Sequence, residues 1–469
     1  MTTAAALYRN LDGASPDEIE VLRKQVEGSL ITPGDPDYDV ARQMVAITFD
    51  RYPAVILKAA STNDVMHGVR FARERKLPLA VRSGAHSVNG QSSVDGALVV
   101  DLGNMRRVVI DPVARTAVVQ PGLTSNELGP MLAAYGLALT TGDTGSVGIG
   151  GLTVGGGIGW MVRKLGLTVD SLRAATVVTA AGDVIRASAT EHPDLFWAIR
   201  GGGGNFGIIT EFTFALHPHG NVIGGVVVIP ATREVLRGYL QYTPEATEDL
   251  TTIAFLMHAP PAPFIPDGHV GDLVLLVGTV FTGAGAEADA ALAPIRALGQ
   301  PLADTVGSIP YPAMFAYTAE AEKRHGAAVR SFFTDDMTDD QLDQVIAHME
   351  RATSPFTMVQ FRGLGGAMCR VPADATAFVH RNARIMFAIL AIWFDPEDDG
   401  EAHRRWAADL WAEVSPASRG AYVNFLQEDM ETRKRDAYFG DTYHRLQQVK
   451  ATYDPENVFQ FNVNIPPAR

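Results

Sequence analysis

Short apolar runs and a helical repeat alternate along the first two hundred residues. Ala54-Val55-Ile56-Leu57-Lys58-Ala59 is a β-type apolar run. Ser61-Thr62-Asn63-Asp64 then offers N-cap residues, and Val65, Val69 and Ala72 recur at helical spacing. The helix is expected to end near Lys76, with Pro78 as its stop. The chain returns as a strand ending at Arg82, so the pattern predicts a strand–helix–strand unit. Short strands are expected over 97–101, 107–111 and 117–120. Thr124-Ser125-Asn126-Glu127 reads as a capping box whose helix ends at Gly136. A hairpin over 177–185, a short helix over 191–200 and a strand over 208–215 follow.

Past His217-Pro218-His219-Gly220 the elements lengthen. Strands are expected over 222–229, 252–257, 273–280, 357–361 and 386–394, and helices over 233–242, 284–298, 338–352 and 402–414. The pattern reads as one sheet with helices over one face, an α+β arrangement. Residues 1–50 are weakly patterned. The Pro-rich piece 259–266 reads as a turn-rich loop.

At 469 residues the chain is long for one core, and two lobes are expected. Its 53 acidic against 39 basic residues give a formal charge of −14, which argues against nucleic acid or an anionic membrane as partner. No apolar run is long enough to span a bilayer, and the start, Met1 to Arg9, lacks a basic-then-apolar leader. The single cysteine, Cys369, allows no internal disulfide, so a reducing, cytoplasmic setting is expected. Cys369 itself reads as a small semi-buried side chain. No zinc-type spacing is present, and no metal site is expected.

Three segments are rich in small residues. The first is Val81-Arg82-Ser83-Gly84-Ala85-His86-Ser87-Val88-Asn89-Gly90 at the exit of a strand. Such loops let backbone approach a ligand, and their N–H groups can receive an anion. The second runs from Gly142-Asp143-Thr144-Gly145-Ser146-Val147-Gly148-Ile149-Gly150-Gly151 through Gly155-Gly156-Gly157 to Val169-Asp170. By itself it is open between a ligand loop and a tight turn under a helix. The third, Gly201-Gly202-Gly203-Gly204-Asn205-Phe206-Gly207-Ile208-Ile209, matches the spacing of a nicotinamide fingerprint. Its context is wrong, because a helix precedes it and a β-rich run follows.

Together, in order and spacing, these segments resemble the flavin-linked oxidases of the vanillyl-alcohol oxidase (PCMH-type) superfamily, berberine-bridge-enzyme-like branch. The resemblance implies a two-domain fold: 1–216 with 416–469 binds FAD, and 217–415 forms an antiparallel sheet covered by helices over the substrate. It implies that His86 bonds covalently to the flavin 8α-methyl carbon. Thr144 stands where bicovalent members carry a cysteine, so one bond is expected. It implies flavin contacts from Arg82, Ser83, Gly84, Ala85, Ser87, Val147, Gly148, Gly150, Gly151, Gly157, Asp170, Gly204, Gly207, Ile208, Ile209, Asn424 and Asn462. Ala85 departs from the commoner Gly-Gly-His. Val147 matches a position tied to oxygen use. Tyr422-Val423-Asn424-Phe425 resembles the Tyr-x-Asn motif, with Tyr422 as catalytic base on a strand that gives it one face with Asn424. A packed tyrosine is the alternative. Gln360 and Arg362 share a strand face, either in the pocket or at the surface, and Trp393 is equally open.

The activity implied is hydride transfer from a C–H bond next to oxygen or nitrogen of a small organic substrate to flavin N5, with O2 giving H2O2. The alternatives are a dehydrogenase with another acceptor and a flavin-binding protein without turnover. Substrate identity and oligomeric state are not legible.

Overall fold

The computed structural model describes residues 15–427 and 430–469. The reading of residues 1–9 falls outside the described residues. The first sheet has the order β1 (Ser29–Ile31), β2 (Val55–Lys58), β4 (Leu98–Asp101), β3 (Leu79–Arg82). β2, β4 and β3 are parallel and β1 is antiparallel. The expected strand–helix–strand unit is present, with the helix spanning Thr62–Glu74 and capped by Ser61. Its Val65, Val69 and Ala72 pack on Leu57, Leu98 and Val100, and the same cluster takes in Val178 and Ile208 of the next sheet.

That second sheet is antiparallel: β5 (Val108–Asp111), β6 (Thr116–Val119), β10 (Ile208–Ala215), β8 (Leu172–Val178), β9 (Val184–Ser188). The short strands β7 (Leu137–Ala138) and β11 (His217–Pro218) pair beside it. The end of the chain packs here. Ala421, Val423, Tyr438, Leu446, Val463 and Ile465 share one core with Phe206 and Phe212.

The third sheet is larger and antiparallel. Its order is β15 (Ala303–Asp304), β12 (Asn221–Pro230), β14 (Leu273–Phe281), β13 (Leu250–His258), β18 (Met358–Gly363), β19 (Ile385–Trp393), β17 (Gly326–Thr334), with β16 (Gly307–Pro310) also on β12. Alternation divides its residues between two faces. Leu256, Val277, Val359, Phe361, Phe387 and Ile389 meet the helices Arg233–Glu245, Gly285–Arg296, Asp339–Met349 and Glu401–Val414. Phe255, Leu276, Gln360 and Ala388 stand in register on the opposite face. Trp393 belongs to the helix side, stacked on His403 at 4.7 Å.

β17 is not legible in the pattern. It opens Gly-Ala-Ala and carries Arg330 at its centre, yet all nine residues are buried. Its free edge is covered by the returning chain: Gln427 Oε1 accepts from Val329 N–H at 2.7 Å, and Arg433 donates to Ser331 O at 2.9 Å. Among the described residues no helix is long and apolar enough to cross a membrane.

Candidate active site

A cavity of about 1100 Å³ lies between the first two sheets, the open face of the third and the returning chain. It is larger than the ~300–1,000 Å³ usual for one ligand. The strand before the histidine loop alternates as a strand must. Leu79, Val81 and Ser83 line the cavity, whereas Arg82 points away. Arg82 is buried on Asp101, at 2.6 Å from Nη2 to Oδ2, and donates to Ala41 O at 2.6 Å. It is a structural ion pair, a correction to the expected flavin contact.

Ser83, Gly84, Ala85, His86 and Ser87 all line the cavity. Gly84 and Gly148 have to be glycines because the two loops touch. A Cβ on Gly84 would sit 2.4 Å from Gly148 N, and one on Gly148 would sit 2.3 Å from Ser83 Oγ. Ala85 has φ +58°, in the left-handed region that favours glycine, which is the physical sense of the commoner Gly-Gly-His. His86 Nε2 lies 2.9 Å from Ser146 Oγ, and among the described residues no hydrogen bond engages Nδ1. Burial, and secondarily the nearby His325, holds the imidazole down to about 4, so it is neutral at physiological pH.

Val147, Gly148, Gly150, Gly151, Gly204, Gly207, Ile208 and Ile209 also line the cavity, as do Thr144 and Asn462. A Cβ on Gly151 or Gly204 would meet nothing within 4 Å, so there the wall is bare backbone. Gly201 N and Gly203 N both donate to Val154 O at 3.0 Å, which joins the second and third small-residue segments. Asn205 stitches the third segment to the chain end, donating to Val463 O at 3.1 Å and accepting from Ile465 N–H at 2.9 Å. The preceding helix Pro193–Ala198 and following strand β10 agree with rejection of the nicotinamide fingerprint.

Two further expected contacts lie outside the wall. Asp170 takes a bidentate pair from Arg381, both bonds 2.8 Å, and caps Leu167 N–H at 2.8 Å; it locks a turn. Gly157 has φ +81°, and its N–H donates to Tyr422 Oη at 3.2 Å. Its part is to hold the tyrosine.

Tyr422 and Asn424 both line the cavity, but not from a strand. Tyr422 precedes a 3-10 turn, Val423–Phe425, and that turn brings Asn424 Nδ2 to 3.1 Å from Tyr422 Oη. Burial raises the phenol above its ordinary value; the bonds from Asn424 and Gly157 and the charge of Arg362 oppose it without overcoming it. Gln360 and Arg362 are buried in the cavity wall rather than at the surface. Arg362 Nη2 donates to Asp143 Oδ2 at 3.0 Å and to Gln360 Oε1 at 2.8 Å.

Asp143, Ser146 and His325 were not singled out in the sequence. The first two lie within the second small-residue segment. His325 reaches the site only through tertiary packing, where His325 N and O pair with Val45 O and Ile47 N. Cys369 is exposed, not semi-buried, and stands outside the cavity wall. Among the described residues no cluster fits a metal ion.

The wall suits a dinucleotide such as FAD. It offers bare glycine backbone in place of lysines, and the buried Asn462 Oδ1 and Gln91 Oε1 have no hydrogen-bond partner among the described residues. A family model described as FAD binding domain matches residues 53–188, and one described as berberine and berberine like matches 421–466. FAD-linked oxidoreductase YgaK of Bacillus subtilis (strain 168) is 32% identical over 95% of this chain and 98% of that protein. The chain belongs to the berberine-bridge-enzyme-like FAD-linked oxidoreductases. Within this family, (R)-6-hydroxynicotine oxidase of Paenarthrobacter nicotinovorans is 31% identical over 94% of this chain and 97% of that protein. The crystal structure of 6-hydroxy-D-nicotine oxidase from Arthrobacter nicotinovorans superposes with a TM-score of 0.85 at 28% identity, covering 94% and 98% of the two chains. The berberine-like match falls on the segment that brings Tyr422, Asn424 and Asn462 to the cavity.

Proposed function

We propose that this FAD-linked oxidoreductase is an oxidase whose flavin is held by a single covalent bond to His86. The observation that carries the reading is a neutral histidine in the cavity wall with Nδ1 left unpaired among the described residues, while Thr144, which cannot form a thioether, lines the same cavity. When bound, FAD accepts hydride at N5 and passes its electrons to O2 as H2O2. Ser146 orients the imidazole. The backbone around Gly148–Gly151 and Gly204–Gly207 receives the pyrophosphate. Asn462 Oδ1 supplies a polar contact that no other described residue uses.

Tyr422 handles the proton of the substrate. Gly157 and Asn424 point two donors at its oxygen, so they stabilise the deprotonated form, and the phenolic hydrogen remains free to face the cavity. Val147 leaves the opening for O2. Residues 1–216 and 416–469 act as the flavin domain and 217–415 as the substrate domain, with the enzyme working in the cytoplasm on a small molecule. The test is anaerobic mixing with a panel of alcohols, amines and hydroxylated aromatics. One of them is expected to bleach the flavin, and admission of air is expected to restore the colour with release of H2O2. Bleaching without recovery in air would make it a dehydrogenase. No bleaching by any compound would favour a flavin-binding role.

A further inference from the structure

Arg362 is 4% exposed and is the only arginine or lysine in the cavity wall among the described residues. Nη2 spends its two hydrogens on Asp143 and Gln360. A guanidinium has five donor hydrogens. The three on Nε and Nη1 have no partner among the described residues, and Nε is fully buried. Nε–H shares its edge of the guanidinium with the engaged Nη2, whereas Nη1, on the other side, is not fully buried and can donate to an acceptor oxygen in the cavity.

The surrounding surface is apolar: Phe255, Met257 and Leu276 from the sheet, Leu390 beside them, Phe264 from the Pro-rich loop, and Phe425, whose ring lies 5.4 Å from the Arg362 guanidinium. The nearby hydroxyls are already committed. Thr318 Oγ1 donates to Asp143 O at 2.7 Å, and Tyr317 Oη bonds Thr305 Oγ1 at 3.0 Å. A polyol bound here would bury hydroxyls without partners, which is costly. Asp143 already balances the Arg362 charge, so a second full anion would leave excess negative charge in an apolar site.

Building on the flavin-site reading above, we infer that the substrate is an aromatic or polycyclic compound with a neutral carbonyl or phenol oxygen, and that Arg362 binds that oxygen. The specificity of the enzyme then rests on β18 rather than on the flavin loops.

The test uses flavin-loaded enzyme and equilibrium dialysis with four probes: 1-tetralone, tetralin, 1-naphthoate and cellobiose. A hydrogen bond to a charged donor makes about a tenfold to hundredfold difference in affinity. 1-Tetralone is expected to bind more tightly than tetralin by that factor, with 1-naphthoate weaker than 1-tetralone and cellobiose unbound. Arg362→Gln should bring 1-tetralone down to the affinity of tetralin and leave tetralin unchanged. If Arg362→Gln does not fold, the wild-type ratio and Arg362→Lys, expected to keep only part of it, decide the matter. Equal binding of 1-tetralone and tetralin by wild type would overturn the inference, as would tighter binding of 1-naphthoate or cellobiose. Flavin content is read on the same samples. Protein that purifies without flavin contradicts the oxidase reading, whereas flavin-loaded protein that does not distinguish the probes contradicts only this inference.

Discussion

Tyr422 is buried and His86 partly so, and burial pushes them in functionally opposite directions. For the imidazole it favours the neutral form, the one with a nucleophilic nitrogen. For the phenol it also favours the neutral form, which is the wrong form for a base. Two hydrogen bonds to Tyr422 Oη reduce that penalty but leave the phenol above its ordinary value. The sign is clear: the phenolate fraction grows only in the alkaline range. If Tyr422 takes the substrate proton, flavin reduction should keep rising with pH past neutrality and into that range. Tyr422→Phe should lower the reduction rate by about 10²–10⁴-fold and flatten that rise, with flavin content unchanged. Stopped-flow reduction across pH reads both. A near-wild-type rate in Tyr422→Phe would make the residue a packing tyrosine.

At the scale of elements, the chain end does the holding. Lys450 is fully buried, with Nζ 2.6 Å from Asp454, 2.7 Å from Asn205 O and 2.9 Å from Phe459 O. Asp454 in turn accepts from Val458 N–H at 2.7 Å and Phe459 N–H at 2.9 Å. One lysine therefore ties the helix Asp441–Tyr453 to the Gly202–Gly207 segment and to the strand of chain carrying Asn462. Lys450→Met leaves Asp454 buried and unpaired, and is expected to cost about 3–5 kcal/mol in urea unfolding. Lys450→Met with Asp454→Asn should recover much of this, and no loss in the single variant would contradict the lock.

The elements legible in the sequence were those with one dominant local signal. Ser61 and Thr124 announce their helices through caps, and β10 alternates over 210–215. β17 escaped because its central arginine and small residues are reconciled only by the chain that returns to cover it. At the site, Arg82 and Asp170 sat in the right segments, yet strand alternation in one case and a buried partner in the other turned them away. Arg362 was undecided because alternation tells which residues share a face but not what the face meets. Tyr422 and Asn424 met through a 3-10 turn, so the proximity was right and the local geometry was not.

Across the whole molecule, the cavity belongs to no single sheet. The histidine loop, the glycine segments, the antiparallel sheet and the last fifty residues each supply part of the wall. The same dense packing leaves His380 buried with Nε2 unpartnered among the described residues, stacked on Phe333 at 4.4 Å and held down to about 4. An unfolded chain takes up this proton below about pH 6.5 and the folded one only near 4. Stability should therefore fall as pH drops through this window, by up to about 1.4 kcal/mol per unit for this one group. His380→Gln should shallow the slope in urea midpoints measured from pH 7 to 4; an unchanged slope would assign the loss to other groups.

The central claim is a flavin fixed at His86 by one bond, and it is tested without knowing the substrate. Protein is precipitated with acid, digested, and the yellow peptide sequenced by mass spectrometry. The colour is expected to stay with the precipitate, on a single peptide that contains His86, and His86→Ala is expected to release the flavin to the supernatant. Flavin free in the supernatant of the wild type, or attached at Thr144 or Cys369, would contradict the account.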